Sequence, residues 1–257
     1  MYNTFSEDYD RFVNWDSRLA YEMPFIEKQI LFLQNQVKRP LDILDTACGT
    51  GMHAIRLAKA GHRVSAADLF PEMIAKSKQN AATAGVQVNF TTAGFGEMTS
   101  AFGTDQFDLL LCLGNSLAHL ITEQDLIKSL QDFANVLRSG GMLFIQNRNF
   151  DAVMQRQERW VEPQLYQSEG EEWLFQRFYD FLPNGLIRFN IVTLKHRLET
   201  DWQASVNSTI LRPQLSTELV YHLEQVGFKD IRTFGSMQAE DFSPESSGNL
   251  IITAIKP

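Results

Sequence analysis

The stretch Leu41 to Gly51, Leu-Asp-Ile-Leu-Asp-Thr-Ala-Cys-Gly-Thr-Gly, constrains this chain more than any other. It reads as a short apolar strand that ends on a carboxylate, Asp45, and runs into a turn of small residues. An amphipathic segment follows at once, with Ile55, Leu57 and Ala58 on its apolar side. Glycine reaches positive φ and lets a backbone approach a ligand closely. The amino end of a helix offers N–H groups that have no partner of their own. Strand, turn and helix together open a nucleotide-binding βα unit, and the remaining chain has to build a sheet around it.

The alternation continues downstream. His62 to Asp68 reads as a second strand, again ending on a carboxylate. A helix starts at Pro71, well placed in a first turn, and Gly85 stops it after Ala84. Val86 to Thr91 is a third strand, and the nearly continuous apolar run Phe107 to Leu113 is a fourth, as expected for a strand covered on both faces. Glu123 to Leu137 carries apolar residues at helical spacing, Ser139-Gly-Gly141 ends it, and Met142 to Gln146 is a fifth strand. This predicts an α/β fold with a doubly wound, mostly parallel sheet.

From about 150 to 212 the helical period disappears. Pro183-Asn-Gly185 marks a hairpin between Trp173–Phe181 and Leu186–His196, and Gln203 to Leu211 adds a third arm. After Pro213 a helix from Ser216 to Val226, a strand from Phe228 and a last strand from Asn249 make a carboxyl-terminal antiparallel hairpin. The expected division is therefore an amino-terminal helical segment over 1–39 and a binding core over 40–149. A small antiparallel β insertion over 150–212 caps the substrate, and 213–257 completes the core. Pro24 is the expected start of the helix that packs on the sheet. The aromatic stretch before it, with Tyr9 and Arg18, is either a lid over the glycine turn or a packed staple.

A formal net charge of −8 with no basic run argues against a nucleic-acid partner. There is no basic, apolar leader and no run of about 18 apolar residues, so a cytoplasmic protein without a membrane span is expected. Cys48 and Cys112 lack the pair spacing of a metal or redox motif and read as buried thiols, with no metal site. Gly49-x-Gly51-x-x-Ala54 with Asp68 downstream satisfies the dinucleotide fingerprint, which implies an NAD-dependent oxidoreductase. Asp45 opposes that reading. A carboxylate before the glycines repels a pyrophosphate and suits a ligand that carries an ammonium group.

Asp45-Thr-Ala-Cys-Gly-Thr-Gly51 resembles the first motif of the class I S-adenosylmethionine-dependent methyltransferases, with Ala47 in place of the first glycine. Asp68 matches the acid after the second strand, and Arg138-Ser-Gly-Gly-Met-Leu matches the turn into strand five, with Ser139 in place of a proline. Leu111-Cys-Leu-Gly-Asn-Ser-Leu-Ala-His-Leu120 and Asn147-Arg-Asn-Phe-Asp151 resemble segments of glycine N-methyltransferase and the glycine/sarcosine methyltransferases. The resemblance implies a seven-stranded Rossmann-like methyltransferase sheet. It also implies S-adenosyl-L-methionine as cofactor, S-adenosyl-L-homocysteine as product, and a small-molecule acceptor methylated on an amine or amino-acid nitrogen.

By the same resemblance Gly49 and Gly51 pass beneath the methionine part of the cofactor beside Ala47. Asp45 and the Leu113 carbonyl face its ammonium, with Asn115 adjacent. Asp68 takes the ribose hydroxyls, Leu69, Met73 and Phe95 flank the adenine, and Arg18 pairs with the carboxylate. His119 and Tyr9 are candidates to hold the amine proton, and Asn149 is the expected substrate contact. Arg148, Arg177 and Arg188 stand as further cations near the site, the last two as candidate carboxylate partners. A non-catalytic S-adenosylmethionine-binding protein is the other alternative. The acceptor and the oligomeric state are left open.

Overall fold

The computed structural model describes Arg11 and residues 13–168, 170–197 and 200–257; Tyr9 lies outside the described residues. A seven-stranded sheet is built from β1 (Asp42–Asp45), β2 (Arg63–Asp68), β3 (Asn89–Thr92), β4 (Phe107–Cys112), β5 (Leu137–Arg148), β10 (Lys229–Phe234) and β11 (Asn249–Ile255). Their order is β10-β11-β5-β4-β1-β2-β3. The five strands β5, β4, β1, β2 and β3 run parallel, whereas β11 lies antiparallel to both β5 and β10. The strand order reverses between β1 and β4, so the carboxyl ends of these two strands frame the crevice in which open α/β sheets bind ligands.

Helices cover both faces because the strands are apolar on both. Ile43, Leu109, Leu111 and Phe144 pack with α1 (Trp15–Val37), α2 (Met52–Lys59) and α3 (Pro71–Ala84). Leu44, Leu110, Leu143 and Ile145 turn to the other face. There they meet α5 (Glu123–Val136) and α7 (Ser216–Gln225) through Leu126, Leu130, Phe133, Leu219 and Leu223. Leu109 to Cys112 alternate between the two clusters, which is why the fourth strand has no polar face in the sequence.

Several boundaries differ from the sequence expectation for local reasons. The first helix does not begin at Pro24 but at Trp15, capped by the Asn14 side chain on the Ser17 N–H at 3.1 Å. Pro24 sits on its exposed side, while Glu22, Met23, Phe25 and Ile26 are buried around it. Tertiary packing on two turns outweighs one missing helical hydrogen bond. Strand β3 begins at Asn89 rather than Val86, and short helices α4 (Met98–Phe102) and α6 (Phe150–Arg156) were not expected. The methionine-led α4 is held by Asp132, which accepts from the Met98 and Thr99 N–H groups.

A second sheet, wholly antiparallel, has the order β6-β7-β8-β9, with β6 (Trp160–Ser168), β7 (Glu171–Phe181), β8 (Ile187–Arg197) and β9 (Gln203–Leu211). The turn between β7 and β8 uses the Asn184 side chain as acceptor for the Leu186 N–H. Strand β6 escaped the sequence reading because it contains Pro163. It is an edge strand whose register slips between Val161 and Gln164, so the missing N–H removes no ladder bond there.

The amino-terminal edge of the parallel sheet is stitched by charge. Arg39 grips Asp108 bidentately at 2.7 and 2.8 Å, and Arg138 reaches Asp42 at 2.8 Å and Asp108 at 2.9 Å. Arg63 completes the set on Asp42. These pairs fix β1, β4 and β5 relative to one another at the end of the sheet opposite the crevice.

The opening turn separates the roles of its two glycines. Gly51 has φ +83°, and a Cβ placed on it would lie 2.8 Å from Ser77 Cβ and 3.1 Å from the Phe90 ring. Its lack of a side chain serves the packing of α2 on α3 and β3. Gly51→Ala is expected to lose about 3 kcal/mol in urea unfolding, from left-handed strain plus overpacking. Gly61→Ala, at φ +90° with nothing within 4 Å, is expected to lose only about 1 kcal/mol.

Candidate active site

Two adjoining cavities open at the carboxyl ends of the parallel strands. The smaller, of about 420 Å³, is walled by the β1–α2 turn (Thr46, Ala47, Gly49), the end of β2 (Asp68, Leu69, Phe70), Met73, the loop Ala93–Glu97 and Thr209 of the second sheet. The larger, of about 530 Å³, lies between α1, the end of β5 and the second sheet. Gly114 and His119 line both, so the loop after β4 is the partition between them. Each volume falls in the range of small-molecule sites.

Asp68 ends β2 and organises the turn beside it. One carboxylate oxygen accepts from the Gly49 N–H at 2.9 Å and the other from the Phe70 N–H at 3.0 Å. Burial raises its pKa even so. Each oxygen keeps a lone pair that a ligand hydroxyl can use. Gly49 holds φ +54° to make this contact, which is where the opening turn does need a glycine.

Asp45 is different. It is 2% exposed, and its Oδ1 is buried without a hydrogen-bond partner among the described residues. Burial first, and then the charge of Asp68, push its pKa up to about 7. A sealed acid with an open acceptor atom is matched to a cationic ligand group rather than to a phosphate.

Helix α1 closes the larger cavity through Glu22. The Arg18 Nε donates to both of its oxygens at 3.1 Å, and Gln146 donates from β5 at 2.9 Å. The His53 Nε2 lies 2.7 Å from Oε2; a carboxylate only accepts, so the ring nitrogen is the donor. Burial opposes ionisation of Glu22, but these donors and the Arg18 charge overcome it and hold the pKa at about 2. Gln146 also accepts from the Gly114 N–H at 3.1 Å, so one glutamine ties the helix to the partition loop. Gly114 has φ +70°, and a Cβ there would stand 3.3 Å from an Arg18 nitrogen.

The structure therefore brings together most of the residues singled out in the sequence. Ala47, Gly49, Asp68, Leu69 and Phe95 line the smaller cavity, and Phe95 also meets Phe133 edge to face at 5.6 Å. Arg18 and Asn115 line the larger one. The Asn115 side-chain Oδ1 accepts from the Arg148 backbone N–H at 3.1 Å, and the Leu113 carbonyl already accepts from the Ser116 hydroxyl at 2.7 Å. His119, in the 3-10 turn Ser116–His119, has its pKa lowered by burial. Cys48 and Cys112 are free and buried.

Asn149 is a correction. Its side chain caps α6, accepting from the Asp151 and Ala152 N–H groups, and donates to the carbonyls of Ser243, Pro244 and Ser247. It is 1% exposed and belongs to neither cavity, so it staples the 243–247 loop instead of touching a substrate. Arg188 is exposed on β8 and lines neither cavity, while Arg177 of β7 does enter the larger one. Sequence reading missed Glu97, Gln146, Asn147, Gln164, Tyr179 and Asn249, all on cavity walls. The signal for two of them was present: the apolar strand Met-Leu-Phe-Ile turns polar at Gln146-Asn147, which is where it reaches the crevice.

The raised pKa of Asp45 has a direct consequence for stability. Between about pH 4 and pH 7 the folded chain keeps a proton that the unfolded chain, titrating near 3.8, has released. Stability therefore falls as pH rises through that window. Asp45→Asn is expected to remove this part of the slope and to be more stable than the parent above pH 7, measured by urea unfolding of the ligand-free protein at pH 5, 6, 7 and 8.

Comparison with known proteins gives a concordant picture. A family described as "Methyltransferase domain" matches residues 43–141. The glycine/sarcosine N-methyltransferase of Aphanothece halophytica is 32% identical over 234 residues, covering 91% of this chain and 82% of the relative. The enzyme of the same name from Halorhodospira halochloris is 31% identical, covering 91% and 81%. A crystal structure of an S-adenosylmethionine-dependent methyltransferase from Clostridium acetobutylicum superposes with a TM-score of 0.75 at 17% identity, covering 99% of this chain and 98% of that one, and shows the same fold. The chain belongs to the S-adenosylmethionine-dependent methyltransferases.

Proposed function

We propose that the chain methylates the amine nitrogen of a small amino acid of the glycine or sarcosine kind. The observation that carries this is the larger cavity, where Arg148 and Arg177 stand on the wall next to His119, beyond the partition that closes the smaller one. Two guanidinium groups in a semi-enclosed chamber suit a carboxylate. The Aphanothece and Halorhodospira relatives carry the same acceptors in their names. Family membership sets the oxidoreductase alternative aside.

The residues present fit S-adenosylmethionine. Asp68 would take the ribose hydroxyls, Leu69, Met73 and Phe95 the adenine, and Gly49 and Ala47 the path of the chain between. The orphaned Oδ1 of Asp45 and the second lone pair of the Leu113 carbonyl would face the ammonium, with Arg18 toward the carboxylate. When bound, the cofactor supplies a methyl group on a positively charged sulfur, so the chain needs no nucleophile of its own.

What the chain supplies is position and exclusion of water. Helix α1, locked down by Glu22, and the second sheet close over the chamber. Arg148 and Arg177 would anchor the acceptor's carboxylate and leave its nitrogen toward the partition. The nitrogen attacks with its lone pair, so an ammonium acceptor must first release a proton. His119, whose pKa burial lowers, would take it. One N–C bond forms, the C–S bond breaks with its electron pair left on sulfur, and the second proton departs from the product.

Incubation with methyl-labelled S-adenosylmethionine and a panel of glycine, sarcosine, dimethylglycine, ethylamine and ethanolamine tests this. Turnover is expected with glycine and sarcosine and not with the amines that lack a carboxylate; equal turnover of ethylamine would overturn it. Arg148→Met is expected to raise KM for glycine about 10- to 100-fold, the loss of a charge-assisted hydrogen bond.

Binding at Asp45 should also be linked to protons. An ammonium favours the ionised acid, whose pKa is about 7 in the free protein. S-adenosylhomocysteine affinity should therefore weaken about tenfold per unit as pH falls well below 7, with close to one proton released per ligand. Calorimetry in buffers of different ionisation heat reads both quantities, and Asp45→Asn should abolish the proton release.

A further inference from the structure

Asn147 occupies β5 two residues before the cap Asn149 and one before Arg148, paired across the ladder with Leu250. It is 1% exposed and lines the larger cavity. Both ends of its amide, Oδ1 and Nδ2, are buried without a hydrogen-bond partner among the described residues. An amide rotated by half a turn would be equally unpaired, so the finding does not depend on which end is nitrogen. Buried amides are satisfied almost without exception, and those that are not call for a reason. Leucine would fill the same volume in this apolar strand, whose preceding residues Leu143, Phe144 and Ile145 are all buried.

The surroundings supply a reason. The Nε of Arg148 and the Oε1 of Gln164 are also buried and unpaired, and both residues line the same cavity. Three residues with open hydrogen-bonding capacity, Asn147, Arg148 and Gln164, thus share one chamber wall, from β5 and from β6 of the second sheet. We infer that Asn147 binds the methyl acceptor directly, its Nδ2 donating to the acceptor's carboxylate and its Oδ1 accepting from the N–H that the reacting amine retains. This deepens the proposed amino-acid methylation and rests on it. The acceptor gains the amide when the long side chains of the wall, Arg148 and Gln164, turn to meet it.

The arrangement makes Asn147 a specificity residue. Neutral glycine offers two N–H groups and neutral sarcosine one, so each satisfies Oδ1 while its lone pair points to the methyl donor. Dimethylglycine has none and would leave the buried carbonyl unpaired. A site built to bond an N–H rejects the analogue that lacks it far more strongly than an apolar pocket does. The preference for acceptors that still carry an N–H then resides in this one amide, and the chain tolerates a destabilising side chain to keep it.

The test compares the full-length protein with Asn147→Leu and Asn147→Ser in three readouts. Ligand-free Asn147→Leu is expected to melt at or above the parent temperature, because two orphaned polar atoms are removed. S-adenosylhomocysteine affinity is expected to stay within about twofold, since Asn147 lies outside the smaller cavity. KM for glycine and for sarcosine should rise about tenfold or more in both variants, with the preference over dimethylglycine reduced in step. A lower melting temperature with unchanged KM would make Asn147 a structural residue and overturn the inference. A parent protein that methylates none of the amino acids would overturn the proposed function and this inference together. A parent that methylates glycine with the same KM as both variants would overturn the assignment of Asn147 alone.

Discussion

A carboxylate sealed at the end of a parallel strand with one oxygen unpaired is the constraint on which the site depends. Asp45 has Asp68 as its charged neighbour across the turn and the more distant Arg18 as the cation that offsets it. Burial makes the ionised form unfavourable, and the chain accommodates this by keeping a proton on Asp45 near neutrality. The strand cannot relax the strain by shifting. Its other end is pinned through Asp42 and the arginines Arg63 and Arg138, and its neighbour β4 through Asp108. The same four-residue strand therefore carries an acid that is fully paired at one end and an acid held ready for a cation at the other.

Glu22 transmits that rigidity to the lid. It is a second buried acid, yet its pKa moves the opposite way, because His53, Arg18 and Gln146 all donate to it. Three elements, α1, α2 and β5, converge on one carboxylate. Through Gln146 the partition loop at Gly114 joins them. The wall of the larger cavity is thereby built from an ionised network rather than from apolar packing. Its stabilising contribution is present above the ordinary glutamate range and is lost as pH falls from about 4.5 toward about 2.

The fold was legible in the sequence wherever a strand ran into a signal that only one geometry satisfies. Asp45 before small residues, Asp68 before Pro71, and the apolar run at 107–113 placed the sheet and its crevice. Legibility failed where tertiary packing overrode a local signal. Pro24 looks like a helix start and lies inside a 23-residue helix because buried side chains flank it on both sides. Pro163 hides an edge strand. Gly49 and Gly51 look alike as letters, but one turns its N–H to Asp68 and the other clears space for Ser77 and Phe90. Asn149 and Asn147 present the same ambiguity. A motif names a strand end, but Asn147 still lies inside β5 on the chamber wall, whereas Asn149 lies past the strand and caps α6.

The two ends of the sheet differ in how their polar groups are paired. At the amino-terminal edge the buried or half-buried acids Asp42 and Asp108 meet arginines at hydrogen-bond distance. At the carboxyl edge Asp45, Asn147 and the Nε of Arg148, whose Nη2 donates to Glu158, each keep a buried atom without a partner among the described residues. Leaving such groups unmade destabilises a fold by about 1–3 kcal/mol apiece, and Asn147 and Arg148 both stand on the wall of the larger cavity. The paired edge supplies the stability that the unpaired edge gives up. On the proposed function, a ligand carrying an ammonium would satisfy Asp45, and one carrying a carboxylate beside an N–H would satisfy Asn147 and Arg148. The destabilisation built into these unpaired groups would then be returned as affinity for two ligands whose reacting ends meet at the Gly114–His119 partition.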